Sequence, residues 1–242
     1  MAQSKYYIHS PFVYQFYLNV LERKTNVAID RINAGRSLMA NSKDFIYQLD
    51  LGTGKSHQRK LSDLESRVAV RPKYGEVLFR LANYLKPKTV VELGTSVGIS
   101  SGYLALGSDS SKVITLEGSE QLIVQAQLFH QRLNANNVVY LEGNINNTLP
   151  DLLADLKQVD LAFIDSNHNK QATLNFFESF LPYVHSNSVL VFDDIYWSAE
   201  MTEAWEDIKK HPAVKRTLDI YQFGIVFFRK ENVERESFTL RY

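Results

Sequence analysis

Two short stretches hold most of the chemistry open to this sequence. FIDSNH, from Phe163 to His168, and VFDDIYWS, from Val191 to Ser198, bring Asp165, His168, Asp193 and Asp194 to the ends of apolar runs. A histidine there is a candidate general base, because an unperturbed imidazole titrates near neutral pH. Clustered carboxylates repel one another unless a proton or a cation lies among them. Oxygen ligands from Asp165, Asp193 and Asp194 would suit Mg2+ or another hard divalent cation better than zinc, and such an ion could lower the pKa of a bound hydroxyl. The competing roles are helix capping and loop hydrogen bonding for the aspartates, and a capping or solvated loop position for His168. The other histidines, His9, His57, His130, His185 and His211, are dispersed without ligand spacing and read as surface or packing residues.

A second constellation is built on glycine. LDLGTGKSH (Leu49 to His57) and VELGTSVGIS (Val91 to Ser100) both run acid, Leu, Gly, Thr. Such a loop holds a ligand in a doubly wound sheet only where a strand precedes it and a helix follows. The first stretch has no apolar helix behind it and carries Leu49 where a phosphate loop needs glycine, so it reads as a surface turn. The second passes: Gly94 and Gly98 permit a tight turn and close approach, and the following helix offers unpaired N–H groups. Glu117 ends the next strand, where a carboxylate can accept both hydroxyls of a ribose. Glu92, just before the loop, disfavours a pyrophosphate and suits a cationic sulfonium amino acid. A nicotinamide-dependent oxidoreductase is the weaker alternative. Ser100 replaces the last glycine of the short-chain dehydrogenase pattern, and the single Tyr-x-x-x-Lys, Tyr84 to Lys88, precedes the first strand of the sheet. A non-catalytic cofactor-binding module is the third reading.

The elements that must position these residues are set by periodicity. Val77, Leu78, Leu81, Ala82 and Leu85 recur at helical spacing, and KPK then breaks into the apolar run Thr89 to Leu93. After a helix starting near Val97, KVITLE, NVVYLEG, VDLAFID and SVLVFDD are strands separated by helical stretches, one carrying the stripe Leu122, Ala126, Phe129 and Leu133. This alternation predicts a parallel sheet covered on both faces. Met201, Ala204, Trp205 and Ile208 mark a further helix, with Trp205 in the core, while Trp197 in its loop could wall an acceptor pocket. VKRTLDIY and GIVFFRK are joined by a turn too short for a crossover, so they must pair antiparallel. Upstream, Ser10 and Pro11 open an aromatic-rich helix with Phe12, Val13, Phe16, Tyr17, Val20 and Leu21 on one face, and a second helix is expected near Ile29 to Met39.

Composition narrows the function classes. A hydrophobic content of 45% in 242 residues is ample for a core. Lys plus Arg and Asp plus Glu both count 27, so no global positive field favours nucleic acid. The absence of cysteine excludes disulfides, thiolate zinc sites and thiol catalysis. No apolar run reaches the ~18 residues of a membrane span, and the start is not of signal-peptide type. The expectation is a cytoplasmic protein with a small-molecule partner, no nucleic acid or membrane partner, and a homodimer as the default assembly.

Residues 75 to 230 resemble a class I S-adenosylmethionine-dependent methyltransferase, with VVELGTSVGIS, TLEG, YLEGN and LAFIDSNH as its first four motifs, closest to the small-molecule O-methyltransferases of bacteria. The resemblance implies a Rossmann-like α/β fold with a seven-stranded sheet in the order 3-2-1-4-5-7-6, strand 7 antiparallel, preceded by an N-terminal helical extension. Residues 1 to 70 would form the extension or lid and 71 to 242 the cofactor domain. The implied S-adenosylmethionine residues are Glu92, Gly94, Thr95, Ser96, Gly98, Ser100, Glu117, Gly118, Gly143, Asn144 and Asp165. Of these, Glu92, Gly94 and Gly98 would shape the methionine side, Ser100 would touch its carboxylate, Glu117 would hold the ribose, and Gly143 and Asn144 would lie near the adenine. Cation-dependent members pair an Asp after strand four with Asp-Asn after strand five. Here the second pair is Asp-Asp, and His168 stands where some members carry a lysine base. The implied reaction is methyl transfer to a small-molecule oxygen, with His168 and Asp165 catalytic and a divalent cation at Asp165, Asp193 and Asp194.

Overall fold

The computed structural model describes residues 9–22, 26–49, 56–229 and 235–242. Its helices are α1 Pro11–Phe16, continued by a π-helical turn Tyr17–Leu21, α2 Val27–Ala40, α3 Leu61–Asp63, continued by a second such turn Leu64–Val68, α4 Pro72–Leu85, α5 Ile99–Gly107, α6 Glu120–Leu133, α7 Ile145–Leu156, α8 Lys170–Phe180 and α9 Ala199–Lys210. Its strands are β1 Phe45–Leu49, β2 Ser56–Lys60, β3 Thr89–Leu93, β4 Lys112–Glu117, β5 Val138–Glu142, β6 Leu161–Ile164, β7 Val189–Phe192, β8 Arg216–Asp219, β9 Gly224–Phe227 and β10 Glu236–Thr239. Among the described residues the main sheet counts eight strands.

The first unit comprises Met1–Glu22, Thr89–Leu93 and Pro150–Tyr242. Its strands run in the order β10-β8-β9-β7-β6-β3. β3, β6 and β7 are parallel, with Leu93 opposite Ile164 and Ile164 opposite Phe192. Every residue of β6 (LAFI) and β7 (VLVF) is buried, as expected of central parallel strands with both faces covered. β9 runs antiparallel to both β7 and β8, so the expected hairpin is present. α9 buries Met201, Ala204, Trp205 and Ile208 as its stripe required. A Cβ on Gly224 would come within 2.7 Å of the Trp205 ring, so the indole lies directly on the β9 backbone. α1 packs Phe12 and Phe16 edge-on against Phe227, with ring centroids 5.1 and 5.5 Å away. The guanidinium groups of Arg216 and Arg229 lie 4.7 and 4.9 Å from the Phe12 ring. Phe227 pairs with Val189, the first residue of β7, so α1 is anchored beside the amino ends of the parallel strands.

Two expectations are corrected. The sheet has eight strands, because β10 adds in parallel along β8, where a seven-stranded sheet would have left an open edge. The N-terminal extension is also not wholly helical: β1 and β2 pair as an antiparallel hairpin from Phe45↔Lys60 to Leu49↔Ser56. Charged, short-range patterning hid β2, whose sequence is SHQRK. Residues 50–55, which include both glycines of LDLGTGKSH, lie outside the described residues.

The second unit comprises Arg23–Lys88 and Gly94–Leu149. β4 and β5 are parallel, with Glu117 opposite Glu142. α4 and α5 pack closely because Gly75 lacks a side chain: a Cβ there would sit 2.2 Å from the Tyr103 ring. α2 is tied to the π-helical turn after α3 by a buried ion pair, Arg36 Nε to Glu65 Oε1 at 2.9 Å, and to the segment leading into α4 by Arg36 Nη1 donating to the Val70 carbonyl at 2.7 Å. Removing either charge would leave the other buried and uncompensated, which typically costs about 3–5 kcal/mol. Among the described residues no helix is long and apolar enough to cross a membrane.

Candidate cofactor loop and acid–imidazole cluster

In the second unit, the chain leaving β3 turns through three residues of positive φ: Gly94 at 97°, Ser96 at 47° and Gly98 at 82°. Glycine meets two of these conformations at no steric cost. Gly98 is required a second time, since a Cβ there would lie 2.7 Å from the Ala126 Cβ on α6. The loop is fastened to β4 by the N–H groups of Gly94 and Thr95, which both donate to the Leu116 carbonyl at 3.0 and 3.2 Å. The Thr95 hydroxyl is committed to Thr115 Oγ1 at 2.5 Å, so Thr95 can offer a ligand little beyond its backbone. Ser100 lies buried in the first turn of α5.

Glu117 ends β4 with one oxygen accepting from Ser96 N–H at 2.9 Å and the other from Ser119 N–H at 3.1 Å. Burial raises its pKa, and the N–H groups of Ser96, Ser119 and Gly118 oppose that rise. A carboxylate has about four acceptor sites, so two N–H bonds leave room for a diol. Gly143 follows β5 at φ 139° and donates its N–H to the Glu117 carbonyl at 2.9 Å, while Asn144 caps the next turn through its Oδ1 and stays exposed. The structure thus brings Gly94, Thr95, Ser96, Gly98, Ser100, Glu117, Gly118, Gly143 and Asn144 into one unit, around β4 and β5.

His130, read from sequence as a surface or packing residue, belongs to this loop. It projects from α6, is 1% exposed, and its Nε2 lies 2.7 Å from the Gly98 carbonyl. The signal available in sequence was its place four residues after Ala126, on the buried side of the helix.

The first unit holds the other constellation. Asp165 N–H donates to the Leu93 carbonyl and Asp193 N–H to the Ile164 carbonyl, both at 3.0 Å, so the ladder continues past the carboxyl ends of β6 and β7. Glu92 is fully buried within β3. His168 Nε2 stands 3.2 Å from Asp165 Oδ1. The backbone makes this pair possible, since Asn167 and His168 both take positive φ, 64° and 33°, folding the imidazole back over the strand end. The hydrogen bond that His168 donates to Asp165 raises the His168 pKa, burial opposes the rise, and the charges of Asp165 and Asp194 add to it. Capping is not the task of these groups, because Asn169 caps α8 and Ser198 caps α9.

Asp193 is 4% exposed, and one oxygen already accepts from Asp194 N–H at 2.8 Å and Gln222 Nε2 at 3.0 Å. Burial, reinforced by the charges of Asp165 and Asp194, holds its carboxyl well above the usual range. Among the described residues no three His, Cys, Asp or Glu side chains form a group able to hold a metal ion. Asp193 is turned inward onto the β8–β9 turn.

Aromatic rings border this cluster. Trp197 is 71% exposed, and its indole ring lies 6.4 Å from the His168 ring. Tyr196 donates to Asp219 and faces Tyr221, itself 70% exposed, at 5.9 Å. Gln222 and Tyr221 reach this end because the hairpin reverses direction, which spacing alone did not reveal.

Residues 91–195 match the family model described as a methyltransferase domain. The chain is 28% identical over 156 residues to the catechol O-methyltransferase of Mycobacterium tuberculosis, covering 64% of this chain and 69% of that protein. It is 27% identical over 170 residues to an uncharacterized protein of Sinorhizobium fredii, but spans only 18% of that protein's length. Among solved structures, the O-methyltransferase from Bacillus cereus in complex with SAH superposes with a TM-score of 0.61 at 22% identity, covering 90% of this chain and 97% of that one. The O-methyltransferase TomG from Streptomyces achromogenes in complex with SAM gives 0.60 at 17%, covering 88% and 94%. At these identities the structural likeness establishes the fold. With the glycine loop after β3 inside the matched segment, residues 91–195 are similar to a methyltransferase domain, set in a fold shared with solved O-methyltransferases.

Proposed function

We propose that this protein transfers the methyl group of S-adenosylmethionine to a hydroxyl oxygen of a small molecule, with His168 as general base. The observation that carries this reading is the bond from Asp165 N–H to the carbonyl of Leu93, the residue that leads into Gly94. It holds the acid–imidazole pair at the carboxyl end of β3.

The residues present fit the cofactor. Glu117 is a largely desolvated carboxylate with acceptor capacity left for a ribose diol, and Gly98 is closed to any side chain larger than hydrogen. Gly94 and Ser96 would lie along the methionine portion, and Gly143 and Asn144 would lie near the base. When bound, S-adenosylmethionine supplies a methyl group activated by its sulfonium, open to displacement by an oxygen nucleophile. Asp165 accepts the Nε2–H of His168 and so leaves Nδ1 as the basic nitrogen. Nδ1 takes the proton from the acceptor hydroxyl, and the resulting imidazolium is stabilised by Asp165 and by the nearby charge of Asp194. Trp197 offers a flat apolar wall against which an acceptor can be oriented. The inward turn of Asp193 does not suit a divalent cation.

Release of S-adenosylhomocysteine from S-adenosylmethionine, followed over a panel of hydroxylated small molecules, tests the proposal. Acceptor-dependent release by the wild type and its loss in His168→Ala support it. Calorimetry showing that S-adenosylhomocysteine does not bind the wild type would sink it.

A further inference from the structure

We infer that His130 is a positioning residue for cofactor binding: from α6 it fixes the carbonyl of Gly98 and with it the bend that turns the glycine loop into α5. The inference rests on the Gly94–Gly98 loop being the cofactor cradle.

The geometry allows one hydrogen-bonding arrangement. A carbonyl can only accept, so the contact of 2.7 Å between His130 Nε2 and Gly98 O places the proton on Nε2. Nδ1 is then an acceptor, and the Tyr140 hydroxyl, 2.6 Å away, donates to it. The Ser101 hydroxyl lies 3.3 Å from Nε2, and the Tyr140 ring stacks on the imidazole at 27°. The Gly98 carbonyl also receives the Gly102 N–H at 3.0 Å, the first helical bond of α5. Both of its acceptor positions are thus filled, one by α5 and one by α6.

Three elements therefore meet on one carbonyl: the loop, α5 and α6, with β5 bracing the imidazole through Tyr140. Burial keeps the imidazole neutral, lowering its pKa to about 4 against the pull of the Gly98 carbonyl, so the arrangement persists throughout the neutral range. An apolar ring of similar size would fill the space and lose the donor. A glutamine would keep a donor and pack less well.

This contrast supplies the test. The full chain as wild type, His130→Phe, His130→Gln and Tyr140→Phe would be titrated calorimetrically with S-adenosylhomocysteine and melted without ligand. His130→Phe is expected to weaken binding about tenfold while keeping the higher melting temperature of the two His130 variants. His130→Gln is expected to recover most of the affinity at a lower melting temperature. Tyr140→Phe should weaken binding about threefold. Packing alone would rank affinity and melting temperature the same way, and that result overturns the inference, as would wild-type affinity in His130→Phe. Should His130→Phe fail to fold, unchanged affinity in Tyr140→Phe overturns it. A wild type that does not bind S-adenosylhomocysteine removes the cofactor reading instead. The positioning claim is then decided by amide exchange at Gly98 to Gly102: faster exchange in Tyr140→Phe sustains it, and unchanged exchange overturns it.

Discussion

The glycine loop of the second unit and the acid–imidazole cluster of the first are built on opposite plans. In the loop nearly every polar contact is made by backbone: Leu116 receives two N–H groups, Glu117 receives two more, and Gly98 O is held from two helices. Side chains there are small or sealed, and His130 is buried. In the cluster the working groups are side chains on left-handed backbone, namely His168, Asp194 and Tyr221, bordered by exposed rings. A backbone cradle suits a ligand that never changes, because its donors are set by chain geometry. A side-chain site can be re-specified by substitution without disturbing the strands beneath it. Under the proposed function, the difference makes cofactor and acceptor recognition separable in this chain.

The sharpest way to break that separation is His168→Ala. Turnover should fall about 10²–10⁴-fold, the usual contribution of a general base, while S-adenosylhomocysteine affinity stays within about twofold. Equal losses in both would merge the two sites. The pH profile sharpens the same point. A base must be neutral to act, and Asp165 raises the His168 pKa, so activity should rise with pH through a midpoint above the ordinary histidine value of about 6.5. In Asp165→Asn that limb should move to lower pH, and a limb that stays put would deny the pairing.

A second contrast concerns stability. His130 titrates near 4 in the folded chain and near 6.5 when unfolded, so the unfolded chain takes up a proton that the native state refuses. Its contribution is full above pH 6.5 and is lost as the pH falls through the window down to about 4, by roughly 3 kcal/mol at most. Urea unfolding at pH 7 and pH 4.5 would read this, with His130→Phe showing the shallower dependence.

Glu117→Ala should weaken S-adenosylhomocysteine binding about 30- to 100-fold, since it removes a charged acceptor of two hydroxyls. Trp197→Ala should leave that affinity unchanged and raise the KM of an accepted substrate about threefold. Calorimetry for the first and steady-state kinetics for the second check them, and a cofactor defect in Trp197→Ala would again blur the two plans.

Much of this molecule was legible before folding. β3 and β4 begin and end where the strand patterns Thr89 to Leu93 and Lys112 to Glu117 do, because parallel strands with buried centres are continuous in hydrophobicity there and are bounded by turn residues. The glycine loop was legible for a related reason: its neighbours along the chain are its neighbours in space, and positive φ has a residue signature. β2 was not legible, because SHQRK lacks any periodic apolar signal and is a strand only by pairing with β1. β10 owes its existence to an open edge on β8 that no local pattern announces.

The amino-acid sequence by itself determined the order of strands and helices from α4 to β9, the hairpin of β8 and β9, and the residue types gathered at the strand ends, since each depends on local periodicity and turn length. Only the tertiary structure decided what those residues do to one another. It turned Asp193 inward onto Gln222, closed His168 on Asp165 through two left-handed residues, and set His130 beneath Gly98, 32 positions away in the chain. Long-range contacts of that kind are chosen by packing and by the demand that buried polar groups find partners, and neither demand is written in any single stretch of sequence.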